Sequence, residues 1–408
     1  MKPLMTIPGP GQRRQQSRPV RSFFLVVLGL VAVYVGVFAV GAIGYDYPLV
    51  RTTEAPSALR GAWHVHTNKS DGRGTAEEIA SIARGAGLHF VVITDHNPET
   101  VEPPRFHDGV LLVFGQELST PNGHVVALGT SRALTKEERS GDVMKTVADL
   151  GGFAFLAHPV QRKNPFRDWP SAPRATGMEI YSADSMLRSA QAEPVQLLVP
   201  AAAAWLTNST HGLLMLADHQ PEAHERLLEL ASNGPYAAVC AHDAHGLPSY
   251  ESVFRTLGTY LPPGPEGLGM PAAAKAAADR IVSAIASGES WCAFHAIAAG
   301  DGFAIKGIGP ERTAVEGEFV TVELPKATAL ELDVRVQGPA TLLDDGRRLK
   351  LDGPGAVQVE VWAKVPGMML QDGWKPWLVP SPIRVQPKSG DAEAPPPPAL
   401  HEPLAADP

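Results

Sequence analysis

WHVHTNKSDGRGTAEEIASIARGAGLHFVVITDHN, residues Trp63–Asn97, brings a His-x-His pair, an Asp five residues later and a Thr-Asp-His triplet into one short stretch. In an extended segment successive side chains point to opposite faces, so His64 and His66 share one face and can grip one cation from the end of a strand. Thr75-Ala-Glu-Glu78 has the form of a capping box, and Ile79, Ile82, Ala83 and Ala86 continue at helical spacing until Gly85 and Gly87 end the element. Leu88 to Thr94 is an apolar run that predicts a strand buried on both faces of a parallel sheet, delivering Asp95 and His96 at its carboxyl end. Strand, helix, strand, with ligand-type side chains at both carboxyl ends, is how α/β proteins build active sites.

The chain around this unit has 408 residues, which predicts two folded parts plus tails, and its 44% apolar content supports real cores. A net charge of -8 gives no basic footprint for wrapping nucleic acid, so no stable nucleic-acid partner is expected. A small phosphorylated substrate needs only a few local cations. Cys240 and Cys292 have neither zinc-finger spacing nor the density of a disulfide framework. Each reads as a small buried hydrophobe, with a bridge between them as the alternative in an exported domain.

Residues 1–21 carry Lys2, Arg13, Arg14, Arg18 and Arg21 and no acid, and Ser22 to Gly44 follows without a charge. About 20 apolar residues cross a bilayer, whereas a signal-peptide core runs to about 7–15, so residues 22–45 are expected to be a retained transmembrane anchor. The cationic flank stays cytoplasmic, which places everything from Tyr45 onward on the far, periplasmic side. A cleaved signal is the alternative, because Ala39, Gly41, Ala42 and Gly44 offer small residues near a cut. Residues 46–60 are expected to form a short tether.

Beyond the opening unit the pattern repeats. Val110 to Phe114 is an apolar run ending at Gly115-Gln116-Glu117, and Gly123-His124 precedes the strand-like Val125 to Leu128. Thr135-Lys-Glu-Glu138 starts a helical stretch to Leu150, Phe153 to Ala157 is a strand ending at His158-Pro159, and Gly177 to Tyr181 is another. Tyr236 to Cys240 delivers His242, Asp243 and His245; Pro271 to Ser287 is helical, and Ser290 to Ile297 is a strand. A lone polar group after a strand is ordinary. Six histidines (His64, His66, His96, His124, His158, His245) and three carboxylates (Asp71, Glu117, Asp243) at the ends of successive strands are not. Imidazole with carboxylate is the donor mixture that zinc, manganese or iron takes, and nine donors suit two or three divalent cations with a bridging carboxylate.

These residues resemble the PHP (polymerase and histidinol phosphatase) superfamily of metal-dependent phosphoesterases. The first motif matches His64-Val-His66 with Ser70-Asp71-Gly72, the second Thr94-Asp95-His96, and the third His158-Pro159. The fourth, usually Ser-Asp-Ala-His, stands here as His242-Asp243-Ala244-His245, and the metal-bridging glutamate fits Glu117. The resemblance implies a distorted (β/α)7 barrel over residues 61–305, with His64, His66, Glu117 and Asp243 on one metal. Glu117, His124 and His158 would hold a second, and Asp71, His96 and His245 a third. It implies hydrolysis of a phosphate mono- or diester, with Glu117, Asp243 and Asp71 as the catalytic carboxylates and a bridging hydroxide attacking phosphorus in line.

Lys69, Arg73, Arg162 and Lys163, near these loops, are expected to meet the substrate phosphate or its leaving group, with solvated surface charge as the plainer reading of each. His242, in place of the usual serine, reads as an extra substrate contact, a positioning partner or a core residue. Residues 306–386 change rhythm: Glu318 to Leu324, Ala329 to Val336 and Val357 to Trp362 alternate, predicting a small antiparallel β-sandwich-like domain whose last edge strand spans Trp374 to Val385. Residues 387–408, rich in Pro, Ala and Asp, cannot bury enough surface to fold. The competing functional reading is a non-catalytic, metal-stabilised binding or sensory domain at the cell envelope.

Overall fold

The computed structural model describes residues 18–51, 56–218, 220–264, 269–270, 272–326 and 329–388; the cationic residues before Arg18 and the tail from residue 389 lie outside it. A helix α1 (Arg18–Ile43) leads in, and Ser22–Ile43 is long and apolar enough to cross a membrane. The strand, helix and strand of the opening motif follow as β1 (Leu59–Val65), α2 (Ala76–Gly85) and β2 (Phe90–Ile93). The capping box forms: Thr75 Oγ1 accepts from the Glu78 N–H at 3.2 Å, and Glu78 Oε2 accepts from the Thr75 N–H at 2.8 Å. Ile79, Ala80 and Ala83 then face the sheet, buried.

The chain continues through β3 (Arg105–His107), β4 (Val110–Phe114), β5 (Gln116–Thr120), β6 (Gly123–Leu128), α3 (Lys136–Ser140), α4 (Val143–Asp149), β7 (Phe153–Leu156), β8 (Gly177–Ser182), α5 (Ala183–Ala190), α6 (Val199–Trp205), α7 (Ser209–Leu216), α8 (Pro221–Asn233) and β9 (Ala237–Ala241). β1, β2 and β4 pair in parallel, and β4 runs through Gly115 into β5, which pairs with β6, then β7, β8 and β9. At Gly115 a Cβ would lie 2.7 Å from the backbone Ala127 O and would also meet the Leu128 side chain, so glycine suits this crossing. The ends meet. The His242 N–H donates to Trp63 O at 2.9 Å, the Ala244 N–H to His64 O at 3.2 Å and the His66 N–H to Ala244 O at 3.0 Å. The result is a closed ring, filled by Trp63, Phe90, Val92, Leu111, Val126, Phe155 and Val239.

The distorted (β/α)7 barrel expected from the sequence is met only in part, because strand and helix do not alternate regularly around the ring. The β5–β6 and β6–β7 pairs are antiparallel, no helix separates β2 from β4 or β4 from β5, and several helices crowd between β8 and β9. The expected single helix to Leu150 is two, because Asp142 caps a new start after Gly141. After α9 (Tyr250–Phe254) and β10 (Gly258–Leu261), helix α10 (Ala274–Ala286) adds Ile281, Val282 and Ile285 to the ring's core at the end opposite the ligands.

The C-terminal part comprises β11 (Trp291–Ala293), β12 (Ala304–Lys306), β13 (Thr313–Val315), β14 (Phe319–Glu323), β15 (Leu332–Gln337), β16 (Ala340–Leu342), β17 (Arg348–Leu351), β18 (Gly355–Lys364), β19 (Trp374–Pro380) and β20 (Ile383–Gln386). It is not a separate sandwich. β1 pairs with β10, β10 with β11, β11 with β19 and β19 with β18, so one sheet runs from the ring into this part. The expected edge strand at Trp374 is central, and Trp377 is fully buried with its indole N–H on Ala298 O. Cys240 and Cys292 form a disulfide between β9 and β11, across this junction. The expected tether is partly docked: the Leu49 and Val50 N–H groups donate to Ala296 O and Ile297 O.

Candidate metal centre

The candidate ligands sit where the strand ends depart from regular geometry. β1 shifts register between Ala62 and Val65, and His64 has φ 63°. His158 (φ 31°) and Asp243 (φ 47°) also lie in the left-handed region that side chains with a Cβ avoid. Three buried, ligand-type residues held there mark a place where surrounding structure overrides local preference. His64 and His66 thus face one centre through a bulge, not through the simple alternation of an extended strand.

Glu117 is the hub, with each carboxylate oxygen facing its own group of rings. Oε2 lies 3.1 Å from His64 Nε2, 3.1 Å from His66 Nε2 and 3.2 Å from His96 Nδ1; Oε1 lies 2.7 Å from His124 Nδ1 and 3.1 Å from His158 Nε2. Asp243 Oδ1 is 3.6 Å from His64 Nε2 and 3.5 Å from His66 Nε2. His64 Nε2, His66 Nε2, His96 Nδ1 and Glu117 Oε2 are buried and have no hydrogen-bond partner. Four orphaned polar atoms at one point are costly unless something satisfies them all. Donors about 2.0–2.2 Å from a shared tetrahedral cation lie roughly 3.3 Å apart, so the observed spacing fits a metal ion.

Among the described residues three donor groups result, each with its atoms within 4.8 Å of one another: His64, His66, Glu117 and Asp243; His96, Glu117 and His124; and His66, Asp71, His96 and His245. The first is wholly buried. His158 adjoins the second through Glu117 Oε1, and the third opens to solvent, the Asp71 side chain being 54% exposed. The centre therefore grades from a sealed floor to an accessible mouth.

The charges interlock. Burial pushes the His64 imidazole down, but the Glu179, Glu117 and Asp243 carboxylates outweigh it and hold its pKa well above the usual value. Burial likewise opposes protonation of His66, yet the adjacent Asp243 and Glu117 carboxylates raise it to about 9. Glu117 is held well below the carboxylate range in spite of burial, by His64, His124 and His158. Buried carboxylates without a cation recruit protons onto the rings beside them.

Glu179 was not legible as a site residue, and it is central. Buried on β8, its Oε1 accepts from the Trp63 indole N–H at 3.0 Å and lies 2.7 Å from His64 Nδ1, while Oε2 accepts from the His158 N–H at 2.7 Å. It fixes which His64 nitrogen faces the centre. Asp95 braces the first loop, accepting from the Thr67 N–H and hydroxyl and from the Ser70 hydroxyl. Tyr250 donates to His66 O at 2.8 Å and accepts from the Arg73 and Gly74 N–H groups. At Gly72 a Cβ would strike His66 O at 2.2 Å.

The expected substrate contacts fare differently. His242 is fully buried, taking the Trp63 N–H on Nδ1 at 3.1 Å and pairing Nε2 with Leu257 O at 2.9 Å, and burial lowers its pKa to about 4. It pins β9 to β1 and cannot reach a substrate. Lys69 is turned into an ion pair with Glu102, away from a free role. Arg73 is exposed beside Gly246 and Tyr250, and Arg162 and Lys163 are exposed on the loop after His158.

No family model matches the sequence. Over 111 residues the chain is 27% identical to an uncharacterized protein of Methanocaldococcus jannaschii, the match covering 24% of this chain and 65% of that protein's length. Similar solved structures include a two-domain protein from Bacteroides vulgatus described as containing a predicted PHP-like metal-dependent phosphoesterase (13% identity, TM-score 0.39, 80% of this chain and 96% of that one). Another is described as a "putative metal-dependent phosphoesterase" of Bifidobacterium adolescentis (16%, 0.30, 47% and 90%), and a third is an amidohydrolase from Chromobacterium violaceum (14%, 0.28, 45% and 87%). These are distant likenesses of arrangement, and the chemistry of the centre rests on its own side chains.

Proposed function

We propose that the chain is a membrane-anchored, metal-dependent phosphoesterase that hydrolyses a phosphate mono- or diester at a centre of two or three divalent cations (zinc, manganese or iron), facing the periplasmic side. The observation that carries this is the convergence of three buried, partnerless imidazole nitrogens on the equally partnerless Glu117 Oε2, with Oε1 facing His124 and His158. One carboxylate facing two ring groups is what a bridging ligand requires. Bound cations would acidify a water and neutralise the phosphate oxygens and leaving oxygen. Glu179 holds His64, and Tyr250 and Asp95 hold the loop carrying His66 and Asp71, so the donors keep their aim. Asp71, His96 and His245, partly exposed, form the side that a phosphate reaches.

That exposed mouth favours an enzyme over a sealed, metal-stabilised binding module. The Cys240–Cys292 disulfide supports an extracytoplasmic site, because such bonds persist in oxidising compartments. The test is Glu117→Ala, measured for bound metal and for hydrolysis of aryl phosphate mono- and diesters. Loss of both is expected, and normal turnover would sink the assignment.

A further inference from the structure

The N-terminal helix does not stand clear of the folded domain. Residues 22–33 of α1 are exposed, but from Tyr34 onward the helix packs against the segment Pro194–Trp205, a π-helical turn continued by α6. Tyr34 donates to Val195 O, the Thr207 hydroxyl to Ala39 O, and the Asn208 amide to Ala42 O at 3.2 Å and Tyr45 O at 2.9 Å. Phe38 and Ala42 are buried in this contact, and Met369 Sδ lies 3.3 Å from the Cβ position of Gly41.

Length makes this contact informative. From Ser22 to Tyr34 α1 advances about 18 Å at 1.5 Å per residue, whereas the hydrocarbon core is about 30 Å thick. If α1 crosses the bilayer, the elements packed beside its second half must sit at membrane level. Their surface suits that position: residues 194–206 contain no charge. Of the large hydrophobics exposed outside α1 among the described residues (Phe106, Val195, Val199, Leu206, Leu247, Phe319, Met369 and Leu370), five lie on this segment and the Met369–Leu370 turn. Val195, Leu206 and Leu370 are 65%, 71% and 65% exposed. Glu193, exposed at the end of the run, limits the depth. Seating about 5–10 Å into the headgroup boundary, with local thinning of the bilayer, covers the shortfall.

We propose that the Pro194–Leu206 segment and the Met369–Leu370 turn form a membrane-seating surface whose partner is the headgroup–acyl boundary of the bilayer. The domain is then held against the membrane in one orientation. This rests on the reading of α1 as an anchor, and the experiment separates the two. All cysteines among the described residues are paired, so an introduced cysteine supplies the free thiol for a nitroxide label. Val195→Cys, Leu206→Cys and Leu370→Cys, with Val31→Cys in α1 and Phe319→Cys on β14, are prepared in the full chain and reconstituted into phosphatidylcholine vesicles. Relaxation by oxygen, which concentrates in lipid, is compared with relaxation by a water-soluble nickel complex. Labels at 195, 206 and 370 are expected to share the lipid signature of position 31, with position 319 in water. A lipid signature at 31 but water at the three overturns the seating surface alone; water at 31 overturns the anchor; shielding of the three from both reagents means a protein partner and overturns the proposal.

Discussion

Replacing Glu179 with Gln tests how the centre is aimed, because the shape is kept and one donor–acceptor relation is inverted. The carboxylate serves three N–H groups, from Trp63, His64 and the His158 backbone, at 3.0, 2.7 and 2.7 Å. An amide has one oxygen, so whichever way it turns, its NH2 faces at least one of these donors inside a site with no water access. A lost hydrogen bond to a charged group costs about 1.5–3 kcal/mol. That agrees with the roughly 10–100-fold loss in metal affinity typical when the partner of a metal-binding histidine is removed. Glu179→Gln is therefore expected to weaken metal binding by about 10–100-fold, read by competition with a chromogenic chelator, with the melting temperature followed in parallel. The loss should concern affinity while the fold survives. Wild-type affinity in a folded Glu179→Gln protein would refute the idea that this carboxylate sets the His64 nitrogen.

Two further outcomes follow from the same geometry. His66 has a raised pKa, about 9, in the metal-free centre, so it stabilises the metal-free fold fully below its unfolded value of 6.5 and loses that contribution as pH rises through about 9. A cation must displace that proton, so apparent metal affinity should rise with pH up to about 9 and proton release on binding should be measurable by calorimetry in buffers of different ionisation heat; pH-independent affinity would contradict it. His242→Ala should lower stability by about 1–3 kcal/mol, by stranding the Trp63 N–H and Leu257 O, while leaving KM unchanged. A raised KM with unchanged stability would return His242 to the substrate.

Much of the donor cluster was legible because many of its members lie at the ends of apolar strands within short motifs: His64-Val-His66, Thr94-Asp95-His96, His158-Pro159 and Asp243-Ala244-His245. Glu179 was not, since it sits mid-strand in Gly177–Ser182 and its partners come from β1 and the turn after β7, a proximity that only ring closure creates. The capping box at Thr75 and Glu78 is a local signal and formed as read. Sheet membership is not local: Trp374 to Pro380 has the composition of an edge strand, yet β11 and β18 flank it on both sides. Likewise nothing in residues 46–60 announces that Leu49 and Val50 hydrogen-bond to Ala296 and Ile297, so the tether looked freer than it is. His242 shows the limit of motif neighbourhood, for it lies beside Asp243 and turns the opposite way, into the core.

The most direct test is metal content by elemental analysis of the full chain in detergent micelles, together with hydrolysis of aryl phosphate monoesters and diesters with and without chelator. Two or more divalent cations per chain, with turnover that chelator removes and added metal restores, is the expected result. A protein that holds no metal when folded, or whose phosphoesterase activity is indifferent to chelator, would contradict the account.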